Sequence, residues 1–251
     1  MNSSIVSIGI SNPGAPIPQA KISRFMQLAH QLDGQEQRKL DFLYRKSGIE
    51  SRHSVLKDFE KEEVSEFTFF PKNKELHPFP GTAARMDVFE AEAAALAEQA
   101  VRTALIKAQV APSSLTHLIL VSCTGMVAPG VELDLIRRLD MASSIERYCI
   151  HFMGCYAVFT GLRLADQLVR ANPNARVLVV SVELCTLHFQ KEYTEDNLLA
   201  NSLFGDGAAA ALIMQSDTGL QIKKYFSEVL WEGEKDMAWR IGDFGFEMRL
   251  S

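Results

Sequence analysis

Short apolar stretches alternate along the chain with segments in which apolar residues recur every three or four positions. The apolar stretches predict buried strands at residues 5–10, 117–123, 148–152, 177–182 and 207–214. The helical spacing predicts helices over residues 19–32, 35–46, 131–139 and 155–171, and a longer helix that begins at Thr82. This alternation is typical of an α/β fold with right-handed crossovers.

Three further segments refine this picture. The continuous β-branched run VLVVSV at residues 177–182 predicts a central parallel strand that is covered on both faces. Residues 219–230 resemble another strand, and residues 244–251 alternate like a strand for which the sequence shows no partner. The proline-rich residues 71–81 predict a surface loop.

The composition is that of an ordinary soluble globular protein. Of the 251 residues, 47% are hydrophobic and 23% are charged, and the net charge is −5. This mildly acidic balance argues against nucleic-acid binding, and no apolar run is long enough to predict a membrane span. The N-terminus lacks the cationic start and apolar core of a signal peptide, so we expect a cytoplasmic protein. The 4 cysteines show no CxxC spacing, which predicts reduced thiols and no metal site.

Candidate chemistry centres on the stretch MGCYAVFTGL, in which Cys155 follows Gly154 at the predicted start of a helix. No charged residue occurs between Cys155 and Arg163, so we expect the start of this helix to be buried. Free N–H groups and the helix dipole would there stabilise a thiolate, which makes a cysteine nucleophilic near neutral pH. Alternatively, Cys155 is a small core residue, since free cysteine is among the most buried residue types. Spacing alone leaves both interpretations open.

A cysteine nucleophile normally needs a base, but no histidine shows a base-specific pattern. His188 follows the predicted strand end at Glu183 and could reach a cleft there. The histidines on predicted strands, His117 and His151, are more typical of structural residues. The sequence therefore identifies no general base.

Two segments carry a family resemblance. The stretch GCYAVFTGLRLADQLVRANPNARVLVVSVELCTLHF and the stretch LFGDGAAA at residues 203–210 resemble the type III polyketide synthases, the chalcone and stilbene synthase-like enzymes. Weaker matches lie at residues 45–52, 82–86, 122–125 and 129–130, in the order in which the family has them. The resemblance covers nearly the whole chain.

This resemblance implies a thiolase-like α/β fold with αβαβα layers. Residues 1–217 would form the N-terminal half, which carries the nucleophilic cysteine, and residues 218–251 would begin the C-terminal half. It implies that Cys155 accepts a starter acyl group from coenzyme A, and that decarboxylated malonyl-CoA then attacks the thioester. It further implies a homodimer that uses acyl-CoA and malonyl-CoA as substrates and needs no cofactor.

Site residues are carried over position by position. Phe204 matches the phenylalanine that gates the tunnel near the cysteine, and Lys46 matches a basic residue that meets the phosphates of coenzyme A. The resemblance places further residues along the elongation cavity: Cys123, Thr124, Cys185, His188 and Phe246. On sequence grounds alone, Lys46 is also explained as a solvated lysine at a helix end. We expect Asp206 to serve a tight turn.

The chain departs from the family pattern in three ways. His188 stands where plant members often have a small hydroxyl residue, so the starter unit or chain length should differ. Ala128 stands where plant members often place a methionine that crosses the dimer interface. The family's catalytic histidine and asparagine lie in C-terminal motifs that have no match before Ser251. We therefore expect a truncated chain that is inactive alone, because the developing enolate oxygen lacks its partners.

Two alternatives remain open at this stage. One is a condensing enzyme similar to ketoacyl-carrier-protein synthase III, which would prefer malonyl groups on a carrier protein. The other is a non-catalytic fragment or pairing subunit, which keeps the fold without turnover.

Overall fold

The computed structural model describes residues 3–234 and 236–250 of the chain, and the described residues form two compact units. The first unit comprises the chain up to Asn12, Phe89–Glu183 and Gly207–Glu228, and the second comprises Pro13–Val88, Leu184–Asp206 and the residues from Val229 onward. The helices are α1 (Gln19–Ala29), α2 (Gly34–Lys46), α3 (Thr82–Ala108), α4 (Val131–Arg138), α5 (Ala157–Ala171) and α6 (Glu195–Leu203). The strands are β1 (Ser3–Ser11), β2 (Ile17–Pro18), β3 (Ser51–Arg52), β4 (His117–Ser122), β5 (Glu146–His151), β6 (Arg176–Leu184), β7 (Asp206–Gln215), β8 (Leu220–Gln221), β9 (Ala238–Gly242) and β10 (Gly245–Arg249).

A mixed sheet forms the centre of the first unit. Its strands lie in the order β5-β4-β6-β7-β1-β8. The strand β4 pairs in parallel with both β5 and β6, whereas β1 pairs antiparallel with β7 and β8. The strand β4 is buried along its whole length, and β6 is buried at most positions, as the VLVVSV run predicts for a covered parallel strand. The mixed α/β architecture predicted from the sequence is confirmed.

Small residues allow two helices to lie close to this sheet. In α5, a Cβ placed on Gly161 would lie 3.3 Å from side-chain methyl carbons of Val121 and Val179, so the helix rests directly on the strands. The buried alanine stripe of α3 packs against β1, where a Cβ on Gly9 would lie 2.1 Å from the carbonyl oxygen of Ala100. The alanine-rich spacing of this long helix therefore predicts its close packing correctly.

An aromatic cluster forms the core of the second unit. The ring of Phe25 in α1 lies 4.6–5.7 Å, between centroids, from four other rings: Phe59, Phe67, Phe70 and Phe189. The buried carboxylate of Asp58 accepts hydrogen bonds from the backbone N–H groups of Thr68, Phe69 and Phe70. Buried polar groups need hydrogen-bond partners. These bonds therefore hold the loop of residues 58–70, which supplies the rings of Phe59, Phe67 and Phe70.

Three elements differ from the sequence predictions. The strand predicted over residues 219–230 is wrong beyond its start, because only Leu220–Gln221 pair, and they pair with β1. The strand near the end of the chain has a partner after all, since β10 forms a hairpin with β9. The helix α6 was not predicted; its first turn is capped by Thr194, whose hydroxyl oxygen accepts a hydrogen bond from the backbone N–H of Asn197.

Apolar side chains are exposed on the surface after β8. Several large apolar side chains that follow β8 are exposed: Phe226, Val229, Leu230 and Trp231. Among the described residues, no helix has both the length and the apolar character needed to cross a membrane.

Replacing Gly9 by alanine tests the contact between β1 and α3. The added methyl group would overlap the backbone of α3, which cannot move as a flexible side chain does. We expect a loss of about 1–3 kcal/mol in the free energy of unfolding, the range found for overpacked cores. Thermal unfolding monitored by circular dichroism measures this loss.

Gly233→Ala is the matched control, because its nearest neighbour would be the side-chain oxygen of Asp236 at 3.4 Å. An equal shift for both variants would show that the close contact at Gly9 has no special cost.

Candidate active site

The carboxyl ends of three parallel strands meet at one edge of the sheet in the first unit. The strand β5 leads to Cys155, β4 leads to Cys123 and Thr124, and β6 brings Glu183 to the same edge. Such an edge is where open α/β sheets usually bind ligands. Of the residues predicted from the sequence, Cys155, Cys123 and Thr124 belong to this unit.

The backbone turns sharply just before Cys155. Phe152 has φ 58° and Gly154 has φ 85°, so two residues in three adopt the left-handed conformation. This conformation is rare and strained for phenylalanine, and such strain clusters at functional sites. The backbone N–H of Phe152 donates to the carbonyl oxygen of Ser122, and that of Ala157 donates to the carbonyl oxygen of Gly154. Gly154 thus adopts a conformation that favours glycine, directly before the cysteine.

Cys155 is exposed, which excludes its interpretation as a buried core residue. The helix α5 begins at Ala157, just after the cysteine. The prediction of a helix start that is buried all round is wrong: Ala157 is buried, but Tyr156 is 58% and Phe159 is 64% exposed. The charge-free sequence therefore reflects one face packed on the sheet and one exposed apolar face.

A buried carboxylate organises the ends of β4 and β6. Glu183 accepts hydrogen bonds from the backbone N–H of Cys123 at 2.9 Å and from the hydroxyl of Thr124 at 2.6 Å. Burial raises the pKa of Glu183, and these donors oppose the rise. The thiol of Cys123 donates to the carbonyl oxygen of Gly154 at 3.6 Å. Burial raises the pKa of this thiol, and the charge of Glu183 raises it further, so Cys123 is held as a thiol.

Sequence reasoning did not assign Glu183 to the site. The available signal was an acidic residue at the end of an otherwise apolar strand, VLVVSVEL. A carboxylate in such a run needs hydrogen-bond donors, which the structure supplies from Cys123 and Thr124.

In the second unit, one cavity brings together four of the predicted residues. Its walls are formed by Cys185, His188, Phe204 and Phe246, together with other residues that include Arg52 and Trp239. The cavity volume is about 40 Å³, which has room for only a few water molecules. Its walls therefore combine aromatic rings with several polar side chains.

The hairpin β9–β10 supplies one wall of this cavity. The rings of His188 and Phe246 stack with their centroids 4.1 Å apart, and the backbone N–H of Phe246 donates to Nδ1 of His188 at 2.9 Å. Gly245 has φ 102°, and a Cβ there would lie 2.9 Å from Cδ of Arg85 and 3.1 Å from Nδ1 of His188. Only glycine combines this backbone conformation with so little space.

Arg85 fixes the turn that carries Cys185 and His188. Its guanidinium is fully buried and donates to the carbonyl oxygens of Pro80, Leu187 and Phe189. Burial lowers its pKa to about 10. The side chain thus stabilises one wall of the cavity through backbone carbonyls.

Asp206 is the first residue of β7 and does not lie in a tight turn, so the role expected from the sequence is wrong. Its carboxylate accepts hydrogen bonds from the backbone N–H of Val55 and from both the N–H and the hydroxyl of Thr186. Burial raises its pKa to about 6, although these donors and the charge of Arg52 oppose the rise.

Lys46 is the last residue of α2 and is exposed, with Nζ 5.6 Å from the ring centroid of Phe42. Its predicted contact with coenzyme A stays a prediction. Among the described residues, no group of three or more His, Cys, Asp or Glu side chains is arranged to hold a metal ion.

Comparison with known proteins identifies the family. The family model of chalcone and stilbene synthases, N-terminal domain, matches residues 2–217. The chain belongs to the chalcone and stilbene synthase family. It is 29% identical over 247 residues to 1,3,6,8-tetrahydroxynaphthalene synthase from Streptomyces griseus, a match that covers 96% of this chain and 62% of that protein. It is 33% identical over 212 residues to probable polyketide synthase 1 from Dictyostelium discoideum. That match covers 84% of this chain and 6% of that protein.

Solved structures of type III polyketide synthases share the fold of this chalcone and stilbene synthase family member. The type III polyketide synthase domain of Steely1 from Dictyostelium superposes with a TM-score of 0.87 at 26% identity, and covers 100% of this chain and 68% of that chain. PKS-I from the brown alga Ectocarpus siliculosus gives a TM-score of 0.89 at 26% identity, and the match covers 100% of this chain and 67% of that chain. The predicted thiolase-like α/β fold is thereby confirmed.

The electrostatic link between Glu183 and Cys123 predicts a change in thiol reactivity. In Glu183→Gln the negative charge near Cys123 is removed, so the pKa of the thiol should fall and its thiolate fraction at pH 8 should rise. We expect alkylation of Cys123 by iodoacetamide to be faster in the variant than in the wild type, because more of the thiol is present as thiolate. Peptide mass spectrometry of timed digests measures the rate.

Cys149 is the internal control in the same digests, since its pKa is raised to about 11 by burial and by Glu132 rather than by Glu183. If Cys123 and Cys149 accelerate equally, general loosening of the structure explains the effect and the assigned link is wrong.

Proposed function

We propose that this protein is a type III polyketide synthase, an acyltransferase that condenses an acyl-CoA starter with malonyl-CoA through a thioester on Cys155. The observation that carries the proposal is the position of Cys155. It is exposed, it follows the left-handed turn at Gly154, and it lies two residues before the start of α5, at the edge where three parallel strands end. Nucleophiles on strained strand-to-helix turns are a recurrent arrangement in acyl transfer.

The reaction proceeds in two bond-forming steps. The sulfur of Cys155 attacks the thioester carbonyl of the starter, and the thiolate of coenzyme A leaves with the electron pair of the broken bond. Malonyl-CoA then loses carbon dioxide, and the electrons of the broken carbon–carbon bond form a carbanion at its α-carbon. That carbon attacks the acyl group on Cys155, the new carbon–carbon bond forms, and the Cys155 thiolate is released.

The cavity of the second unit is the proposed site of chain elongation. Its aromatic walls support the roles of Cys185, His188, Phe204 and Phe246 in substrate binding. Cys123 and Thr124 are also proposed to bind substrate, and Lys46 to bind the phosphates of coenzyme A. No cofactor is needed, since the coenzyme A thioesters are the substrates.

The remaining aspects of the function follow the family. We propose a cytoplasmic homodimer, with an N-terminal half at residues 1–217 and the beginning of a C-terminal half at residues 218–251. The chain spans 62% of the length of its Streptomyces griseus relative. We propose that condensation requires a histidine and an asparagine beyond these residues, which would donate to the enolate oxygen that forms on decarboxylation.

Removing the proposed nucleophile tests the activity. The full-length product of the gene is incubated with malonyl-CoA and an acyl-CoA starter, and polyketide products are quantified by mass spectrometry. We expect Cys155→Ala to lower product formation by more than about a thousandfold, because the covalent intermediate cannot form. Cys149→Ala removes another exposed cysteine and should leave the product yield unchanged.

Equal yields from wild type and Cys155→Ala would refute the proposal. A strong preference for malonyl-carrier protein over malonyl-CoA would instead assign the protein to the ketoacyl-carrier-protein synthase III type.

The 251-residue chain on its own should not decarboxylate malonyl-CoA. Release of labelled carbon dioxide from carboxyl-labelled malonyl-CoA measures this step directly. We expect release at the rate of the buffer blank, because the enolate oxygen finds no donors of the required kind. Release that depends on these 251 residues would show that the donors lie within them.

A further inference from the structure

The segment that carries Phe204 is held by side chains from three other elements of the second unit. The carbonyl oxygen of Asn201 accepts a hydrogen bond from the hydroxyl of Tyr44 at 2.9 Å. The carbonyl oxygen of Ser202 accepts a hydrogen bond from Nε2 of Gln19 at 2.8 Å. The carbonyl oxygen of Phe204 accepts a hydrogen bond from Nη1 of Arg52. The last carbonyl groups of a helix have no partners within it, so these three donors complete the end of α6.

Gln19 and Arg52 act as one unit. Nε of Arg52 donates to Oε1 of Gln19 at 2.9 Å, so the amide group accepts from Arg52 and donates to Ser202. Both residues are deeply buried, with exposed fractions of 5% for Gln19 and 7% for Arg52. Removing a guanidinium from water is costly, and hydrogen bonds offset part of that cost. Here two of its donors are spent on the backbone and the amide that fix the Phe204 segment.

The hydrogen bond from Arg52 to the carbonyl oxygen of Phe204 sets the direction of the chain at this residue. The helix α6 ends at Leu203, and Phe204 continues in extended conformation with φ −81° and ψ 144°. A Cβ on Gly205 would lie 3.3 Å from the carbonyl oxygen of His53 and 3.4 Å from Cβ of Arg52, so β3 lies directly against the segment. Just beyond, Asp206 is fixed by Val55 and Thr186. The backbone is therefore tied down on both sides of Phe204.

We propose that Arg52 and Gln19 are positioning residues for Phe204, and that through it they set which sizes of acyl starter the cavity accepts. This inference rests on the proposed function, which makes Phe204 a gate to the substrate tunnel. The cavity is walled by the side chains of both Phe204 and Arg52. A displacement of the Phe204 backbone therefore changes the cavity wall itself.

Two conservative substitutions test the hydrogen bonds of Arg52 and of Gln19 separately. Arg52→Lys keeps the charge but removes the planar guanidinium, so one ammonium group cannot serve Gln19 and Phe204 in the same geometry. Gln19→Glu keeps an acceptor for Arg52 but removes the donor to Ser202. The control is Thr68→Val, which removes the hydrogen bond from the Thr68 hydroxyl to Asp58 in the same unit. The midpoints of thermal unfolding are measured for all variants, so that the readouts are compared only between variants of similar stability.

The first readout is the ratio of kcat/KM for a long-chain and a short-chain acyl-CoA starter, measured with the full-length enzyme. We expect each of the two variants to shift this ratio by about fivefold or more, the scale of discrimination that small changes in pocket shape produce. Thr68→Val should leave the ratio unchanged. An unchanged ratio in Arg52→Lys and Gln19→Glu, with an active wild type, would overturn the inference and leave the proposed function intact.

The second readout does not depend on activity. Hydrogen–deuterium exchange of a peptide that spans residues 199–206 should be faster in Arg52→Lys and Gln19→Glu than in Thr68→Val. If the wild type makes no product but this exchange is faster, the proposed function fails and the positioning of Phe204 stands. Exchange equal to that of the control would show that the two residues do not hold the segment, whatever the activity.

Discussion

Parallel pairing of β4 with both β5 and β6 is the constraint on which the first unit depends. Parallel strands bring their carboxyl ends to one edge, so residues far apart in the sequence come together there. Cys123 thereby donates from its backbone to Glu183 and from its thiol to the carbonyl oxygen of Gly154. The turn before Cys155 is tied to β4 in this way. Glycines at the helix contacts allow α3 and α5 to pack on the sheet without moving this edge.

Among the described residues of the second unit, the buried charged side chains bind backbone groups and form no ion pairs with one another. Arg85 and Arg52 donate to backbone carbonyl oxygens, and Asp206 accepts from backbone N–H groups. Backbone partners have fixed positions, so each charged side chain defines the path of a loop rather than the position of another flexible side chain. These hydrogen bonds offset part of the cost of removing the charges from water, and they hold the loops in one conformation.

The sequence predicts well what depends on local pattern. The strand β6 is recognisable from its β-branched run, α3 from its alanine stripe, and the turn at Gly154 from glycine next to a helix start. Contacts between distant segments leave no such trace: Gln19 meets Ser202 across the chain, and nothing near either residue indicates it. The stretch at 219–230 fails for a related reason, since an apolar pattern predicts a strand only where a neighbour exists to pair with it. The special status of Phe204 came from family resemblance alone.

Gly245 has a consequence for attempts to redesign the cavity. Its positive φ and its closeness to Arg85 and His188 leave no room for any side chain. Random libraries that vary the whole β9–β10 hairpin would lose most members at this one position. Trp239 and Phe246 also line the cavity, and their rings meet edge to face. Variation of product scope would thus be sought in these aromatic residues, with the glycine kept invariant.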